Sequence, residues 1–247
     1  MKLITLFRLL YKKFFSKQES KYASFVLGEK IASLWYPKFT FSEYGKIWLE
    51  NKDFFDFYEK YVGKSYRSAD RKFFITSLLS LVDELPGDTA ECGVFNGASS
   101  WLICNKFKNT DKVHHAFDSF EGLSSPLEID GVYWQAGDLK ATEDIAKRNL
   151  AEYKDKIEIY KGWIPETFNN VSSKKFCFVH IDVDLYQPTF DSLCFFYPKM
   201  VTGGLILCDD YGFTTCPGAK KAFDELMENK AEKIINVPSG QAFVIKK

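Results

Sequence analysis

Two hydrophobic rhythms divide the chain. Over residues 1–17, Leu3, Leu6, Phe7, Leu10 and Phe14 recur at helical spacing with Lys2, Arg8, Lys12, Lys13 and Lys17 among them, which predicts a basic amphipathic helix. Aromatic residues continue densely through Trp35, Tyr36, Phe39, Phe41, Trp48, Phe54, Phe55, Phe57 and Tyr58, so residues 1–65 read as a mostly helical cap or lid and not as a disordered tail. From about residue 68 onward, short apolar runs alternate with helical segments. That alternation predicts a parallel sheet flanked by helices over residues 66–247.

The second region can be read element by element. A helix through Phe73, Leu78, Leu79 and Val82 stops at Pro86-Gly87, and Thr89 to Val94 makes the first strand. Gly97 opens the next helix. His114 to Asp118, Ile157 to Tyr160, Phe176 to Asp182 and Leu205 to Asp209 supply four further strands. Thr142 starts a helix with Glu143 and Asp144 in its first turn, and Pro188 and Pro217 sit where a proline opens a helix. Lys233 to Val237 and Ala242 to Ile245 flank Pro238-Ser239-Gly240 as an antiparallel hairpin that closes the sheet.

Two of these strands end in acids: Asp182 and Asp184 follow His180-Ile181, and Asp209 and Asp210 follow Leu207-Cys208. Ligands of open α/β sheets bind beyond the carboxyl ends of the strands, so neighbouring strands would aim four carboxylates into one crevice. Like charges that close repel unless neutralised. An all-oxygen set without paired His or Cys ligands suits a hard cation such as Mg2+. The plainer reading of Asp209 and Asp210 is a loop start or helix cap. By strand alternation His180 points to the same side as Asp182, as a hydrogen-bonded core histidine or as a participant in chemistry.

Composition adds exclusions. With 247 residues, 46% hydrophobic and 27% charged, the chain can bury a sizeable core. Lys plus Arg and Asp plus Glu both number 33, which leaves no electrostatic footprint for nucleic acid. The six cysteines include no C-x-x-C pair and several lie inside apolar runs, which points to a reducing cytoplasm. Arg8 interrupts the first apolar stretch and no small-residue cleavage site follows, so neither a signal peptide nor a spanning helix fits. Residues 1–17 would pack on their own domain, join a second subunit in a homo-oligomer, or lie on the inner face of a membrane.

The turn after the first strand reads Glu91-Cys92-Gly93-Val94-Phe95-Asn96-Gly97-Ala98-Ser99. Its glycines match neither the dinucleotide G-x-G-x-x-G nor a phosphate loop, so phosphate is not the obvious guest. Asp118 closes the second strand, where a carboxylate can accept both ribose hydroxyls of a nucleoside-containing cofactor.

Taken together, Glu91 to Ser99, Phe117-Asp118-Ser119-Phe120-Glu121-Gly122, Lys161-Gly162-Trp163, His180 to Thr189, and Gly203 to Gly212 followed by Pro217 to Ala222 resemble the macrocin O-methyltransferase family, whose members methylate sugar hydroxyls. The resemblance runs from about residue 65 to the C-terminus. It implies a class I fold: a doubly wound, mostly parallel seven-stranded methyltransferase sheet with its last strand antiparallel. It also implies S-adenosylmethionine and Mg2+ as cofactors and an acceptor, small molecule or glycan, with a free hydroxyl. The implied cofactor set is Glu91, Gly93, Val94, Phe95, Asn96, Gly97, Ser99, Asp118, Ser119, Gly137, Asp138 and Asp182. The implied metal ligands are Asp182, Asp209 and Asp210, and the implied general base is Asp184, with a fourth-ligand role as its alternative. Ser124 and Ser125 precede Pro126 where relatives often place proline directly, so the loop over the cofactor would be shaped differently. Two rival readings are methylation of a catechol-like phenol, for which Asp-Asn would be expected at Asp209-Asp210, and a non-catalytic cofactor-binding scaffold.

Overall fold

The structure, a computed structural model, describes residues 3–37 and 44–247. Lys2, Phe39 and Phe41, counted above in the basic helix and the aromatic run, lie outside the described residues, as does the side chain of Leu3. The chain separates into two units, Met1–Lys52 and Asp53–Lys247. The boundary anticipated at 65/66 therefore falls inside the second unit.

In the first unit, α1 (Leu3–Phe15) and α2 (Ser20–Ala32) form a hairpin. Leu9, Ala23 and Leu27 are its buried centre, with Leu6, Leu10 and Val26 packed against them. The basic amphipathic helix is present, but only one of its apolar edges is used. Ile4, Phe7, Tyr11, Phe14 and Phe15 remain exposed. Among the described residues, no helix is long and apolar enough to cross a membrane.

The second unit takes in α3 (Lys52–Tyr61) from Asp53 onward, and then α4 (Ala69–Leu79). Phe57 of α3 stacks on Trp101 at 4.8 Å, which ties that helix to the domain behind it. Then follow β1 (Asp88–Cys92), α5 (Ala98–Phe107), β2 (His114–Asp118), α6 (Glu143–Asn149) and β3 (Ile157–Lys161). The chain continues through β4 (Phe176–Ile181), α7 (Tyr186–Phe196), β5 (Met200–Cys208), α8 (Pro217–Met227), β6 (Ile235–Asn236) and β7 (Ala242–Ile245).

These strands form one seven-stranded sheet in the order β3-β2-β1-β4-β5-β7-β6. The first five are parallel, whereas β7 runs antiparallel to both β5 and β6. β4, at the centre, is buried at every position, as a parallel strand covered on both faces must be. Strand order reverses between β1 and β4. A crevice opens beyond the carboxyl ends of strands at such a switch point.

Local signals explain the helix starts. The Thr142 hydroxyl accepts from Ile145 N and caps α6. Pro217 is the first residue of α8, where its missing N–H costs nothing. α7 lacks a cap from Leu185, and Asp130 supplies one from elsewhere, its Oδ1 accepting from Tyr186 N at 2.6 Å.

Candidate active site

At the end of β1 the backbone passes through Gly93 with φ +89°, where a Cβ would lie 1.8 Å from the carbonyl oxygen of Asp182. Only glycine fits, because any side chain would push β1 away from the chain leaving β4. Asp182 N donates to Cys92 O at 2.9 Å and Gly93 N to Phe117 O at 2.9 Å, so three strand ends are stitched together at this point. Asp118, closing β2, accepts from Val94 N at 2.7 Å and Phe95 N at 2.9 Å through Oδ2, and from Phe120 N at 2.6 Å through Oδ1. The carboxylate fixes the loop, and Oδ1, which accepts a single N–H, keeps a lone pair for a ligand hydroxyl.

Beyond these strand ends lies a cavity of about 650 Å3, a volume typical of small-molecule sites. Gly93, Val94, Phe95, Asn96, Ser99, Asp118 and Ser119 line it, together with Asp182, Asp184 and Asp210. Trp163 lines it as well, while Tyr211 turns away and donates to Asp224.

Five of the anticipated residues do not line the cavity. Gly97 caps α5 in a left-handed conformation, packed on Leu150. Gly137 and Asp138 pair with Leu123 through their backbones, one step before the cavity-lining Leu139. Glu91 pairs in register with His180 and turns into the sheet. Its Oε1 accepts from His180 Nδ1 at 2.8 Å, and Ser100 donates to Oε2. Burial alone would raise the Glu91 carboxyl, but attraction to His114 and His180 outweighs it and holds the group well below the usual carboxylate range. Asp209, the fifth, is fully buried: Oδ1 accepts from Gln241 Nε2 at 2.6 Å and lies 3.2 Å from His180 Nε2, and Arg71 Nη1 donates to Oδ2.

The remaining acids have fewer partners. Asp184 sits at φ +59°, a left-handed conformation that aspartate tolerates and that turns the chain sharply between β4 and α7. Its N–H donates to Asp210 Oδ2 at 3.0 Å, and Cys216 Sγ donates to its Oδ1 at 3.4 Å. Burial, then the charge of Asp182, pushes the Asp184 carboxyl up to about 7. Asp210 is raised as well, by burial and then by Asp184 and Asp182. Buried carboxylates raised by one another's charge mark a place where positive charge is missing.

Donor atoms of Asp184, Asp210 and Cys216 lie within 4.8 Å of one another, and those of His180, Asp182 and Asp209 do likewise. The three anticipated ligands are thus divided between two adjacent clusters. Their oxygens suit a hard cation, and the like charges of Asp182, Asp184 and Asp210 crowd where one would relieve them.

Arg71 and Lys72, which line the cavity from α4, were not singled out from the sequence. One signal was available: two adjacent cations near the start of a helix oppose the macrodipole, so something negative must face them. Arg71 meets Asp209, and Lys72 Nζ lies 3.6 Å from Asp182 Oδ2.

The profile of the macrocin-O-methyltransferase (TylF) family matches residues 75–241. The chain belongs to this family. Demethyldecarbamoylnovobiocin O-methyltransferase of Streptomyces niveus is 31% identical over 160 residues, 58% of this chain and 59% of that protein. The 8-demethyl-8-(2,3-dimethoxy-alpha-L-rhamnosyl)-tetracenomycin-C 4'-O-methyltransferase of Streptomyces olivaceus is 27% identical over 152 residues, 56% of this chain and 58% of that protein. The chain therefore spans a little under three-fifths of the length of these curated relatives. The structure of the O-methyltransferase NovP superposes with a TM-score of 0.60 at 26% identity, covering 72% of this chain and 80% of that one.

Proposed function

We propose that the protein transfers a methyl group from S-adenosylmethionine to a hydroxyl of a sugar, in a glycoside or a glycan, with a divalent cation such as Mg2+. The reading is supported most by one juxtaposition: the ribose-type acceptor Asp118 and the acids Asp182, Asp184 and Asp210 line a single cavity. The Streptomyces olivaceus relative, named for a rhamnosyl substrate, favours a sugar acceptor, as does Asp209-Asp210 where a phenol enzyme would carry Asp-Asn.

An alcohol is a weak nucleophile until it loses its proton. A cation held by Asp182, Asp209 and Asp210 would supply Lewis acidity to the acceptor hydroxyl. Asp184 takes the proton as the acceptor oxygen bonds to the methyl carbon and the carbon–sulfur bond breaks, leaving a neutral thioether. Asp118 fixes the ribose and Gly93 permits close backbone approach, so most of the acceleration comes from positioning. The six free thiols accord with a reducing compartment, and we assign the reaction to the cytoplasm.

The deciding experiment screens glycosides and nucleotide-activated sugars for methyl transfer with added Mg2+ and with a chelator. The expected result is cation-dependent methylation of at least one sugar hydroxyl. Transfer that is indifferent to the chelator would remove the metal, and transfer to catechols alone would replace the sugar.

A further inference from the structure

Lys72 lies before the stretch that the family profile matches, on the second turn of α4, and is only 9% exposed. A lysine buried that far gives up hydration that its partners must replace. Its partners are thin. Nζ donates to Ser99 Oγ at 2.5 Å, and the nearest carboxylate oxygen, Asp182 Oδ2, stands at 3.6 Å, beyond hydrogen-bonding distance. An ammonium carries three donors, so this one has capacity to spare.

All three residues line the cavity. Ser99 is in the first turn of α5, whose N-cap residue Gly97 contributes no side-chain cap, so the helix start adds favourable potential for an anion. Lys72, Ser99 and the helix start make a spot for negative charge, and Asp182 beside them makes one for positive charge. A cation and an anion a few ångströms apart on a cavity wall match the two charges of an α-amino acid, which are one carbon apart. The sheet places this pair suitably: Asp182 follows β4 and Asp118 ends β2, the two strands that flank β1. A ligand held by its ribose at Asp118 would cross the Gly93 loop and present its far end at Lys72.

We infer that Lys72, with Ser99, binds the carboxylate of the amino-acid portion of the methyl donor, while Asp182 receives its ammonium. The inference rests on the proposed methyl donor and adds a residue to its site. On binding, the loose Lys72–Asp182 pair is replaced by two tighter ones, so no buried charge is left unmatched.

Three ligands separate the parts. S-adenosylhomocysteine carries the whole amino acid, its decarboxylated analogue keeps only the ammonium, and 5'-methylthioadenosine keeps neither. Affinities are measured by calorimetry for the full-length protein and for Lys72→Met, Lys72→Gln and Ser99→Ala. The wild type is expected to prefer S-adenosylhomocysteine over the decarboxylated analogue by roughly ten- to a hundredfold, the range of a charged hydrogen bond. The Lys72 variants should lose that preference while binding 5'-methylthioadenosine as before, and Ser99→Ala should lose part of it. Equal affinity of the wild type for the first two ligands overturns the inference without any variant. So does a Lys72 variant that weakens all three ligands alike, since that reports a structural role. Should Lys72→Met fail to fold, the wild-type comparison and Ser99→Ala still decide. If the wild type binds none of the three, it is the methyl donor itself that falls.

Discussion

Arg71 and Asp209 form an ion pair beside the cavity, with the guanidinium also 5.1 Å from the centre of the Phe213 ring. Arg71 therefore occupies the oxygen of Asp209 that a cation would need. If Asp209 is a metal ligand, the arginine and the metal exclude one another there.

Arg71→Gln should accordingly destabilise the metal-free protein while increasing the gain from added Mg2+. Removing one partner of a buried pair costs roughly 3–5 kcal/mol, and less when a partner is partly solvated. Arg71 is 22% exposed, so the lower part of that range applies. Thermal unfolding with Mg2+ and with a chelator measures both effects. An equal Mg2+ response in wild type and variant would remove Asp209 from the ligand set.

Asp118 both holds the β1–α5 loop and faces the cavity, and two substitutions separate these roles. Asp118→Asn keeps one acceptor oxygen and Asp118→Ala keeps none. S-adenosylhomocysteine affinity should fall by about ten- to a hundredfold in the alanine variant and less in the asparagine one. Unchanged affinity in both, read by calorimetry, would place the ribose elsewhere.

Asp184→Asn retains the shape of the side chain and loses the proton acceptor. The rate of methyl transfer at saturation should drop by roughly 10²–10⁴-fold, with donor affinity unchanged. Asp210→Asn should instead abolish cation-dependent turnover with donor affinity kept, and Asp182→Asn should lose that turnover and weaken the donor's amino-acid end as well. A uniform loss of donor binding in all three variants would contradict the division of labour.

Much of this was legible in the chain because parallel strands advertise themselves as apolar runs that end in polar residues. β2 falls on His114–Asp118 as the pattern predicts, and Thr142 caps α6 as expected. β6 shrank to two residues, since an edge strand pairs on one side only and Val237 N already turns to Gln241 O in the hairpin turn. The site was less legible where side-chain direction decides. Glu91 heads the cofactor motif, yet strand alternation turns it inward to His180. Arg71 and Lys72 carry only the weak signal of cations at a helix start, because helical periodicity marks charged positions as solvent-facing, and only the folded chain brings the acids that follow β4 and β5 opposite them.

Acid sensitivity should trace in part to Asp88. Burial would raise its carboxyl, but hydrogen bonds from His115, Val113 N–H and Lys174 outweigh that and lower it from 3.8 to about 2. A carboxyl lowered on folding stabilises the protein fully above its unfolded value, and that contribution is lost as pH falls through the folded one. Stability carried by Asp88 is thus present above about 3.8 and disappears toward about 2. Asp88→Asn should be less stable than wild type at neutral pH and converge with it near pH 2, as read from urea midpoints. Parallel curves over that window would show that Asp88 does not carry the effect.

His180 joins the two halves of the site. Its ring is fully buried, with Nδ1 2.8 Å from Glu91 Oε1 and Nε2 3.2 Å from Asp209 Oδ1. Each nitrogen faces a carboxylate, so the ring links the strand that starts the cofactor loop to the strand that carries the acids. His180→Leu would leave Glu91 without its nearest basic partner, and a stranded buried charge costs more than the contact it lost. Glu91→Leu should be costly for the converse reason. The double variant removes both groups, so its cost should fall short of the sum of the singles by roughly 0.5–3 kcal/mol. Chemical unfolding of the four proteins gives this coupling directly. Strict additivity would mean that Glu91 and His180 do not depend on one another, and the link between cofactor loop and acidic cluster would have to run through the backbone alone.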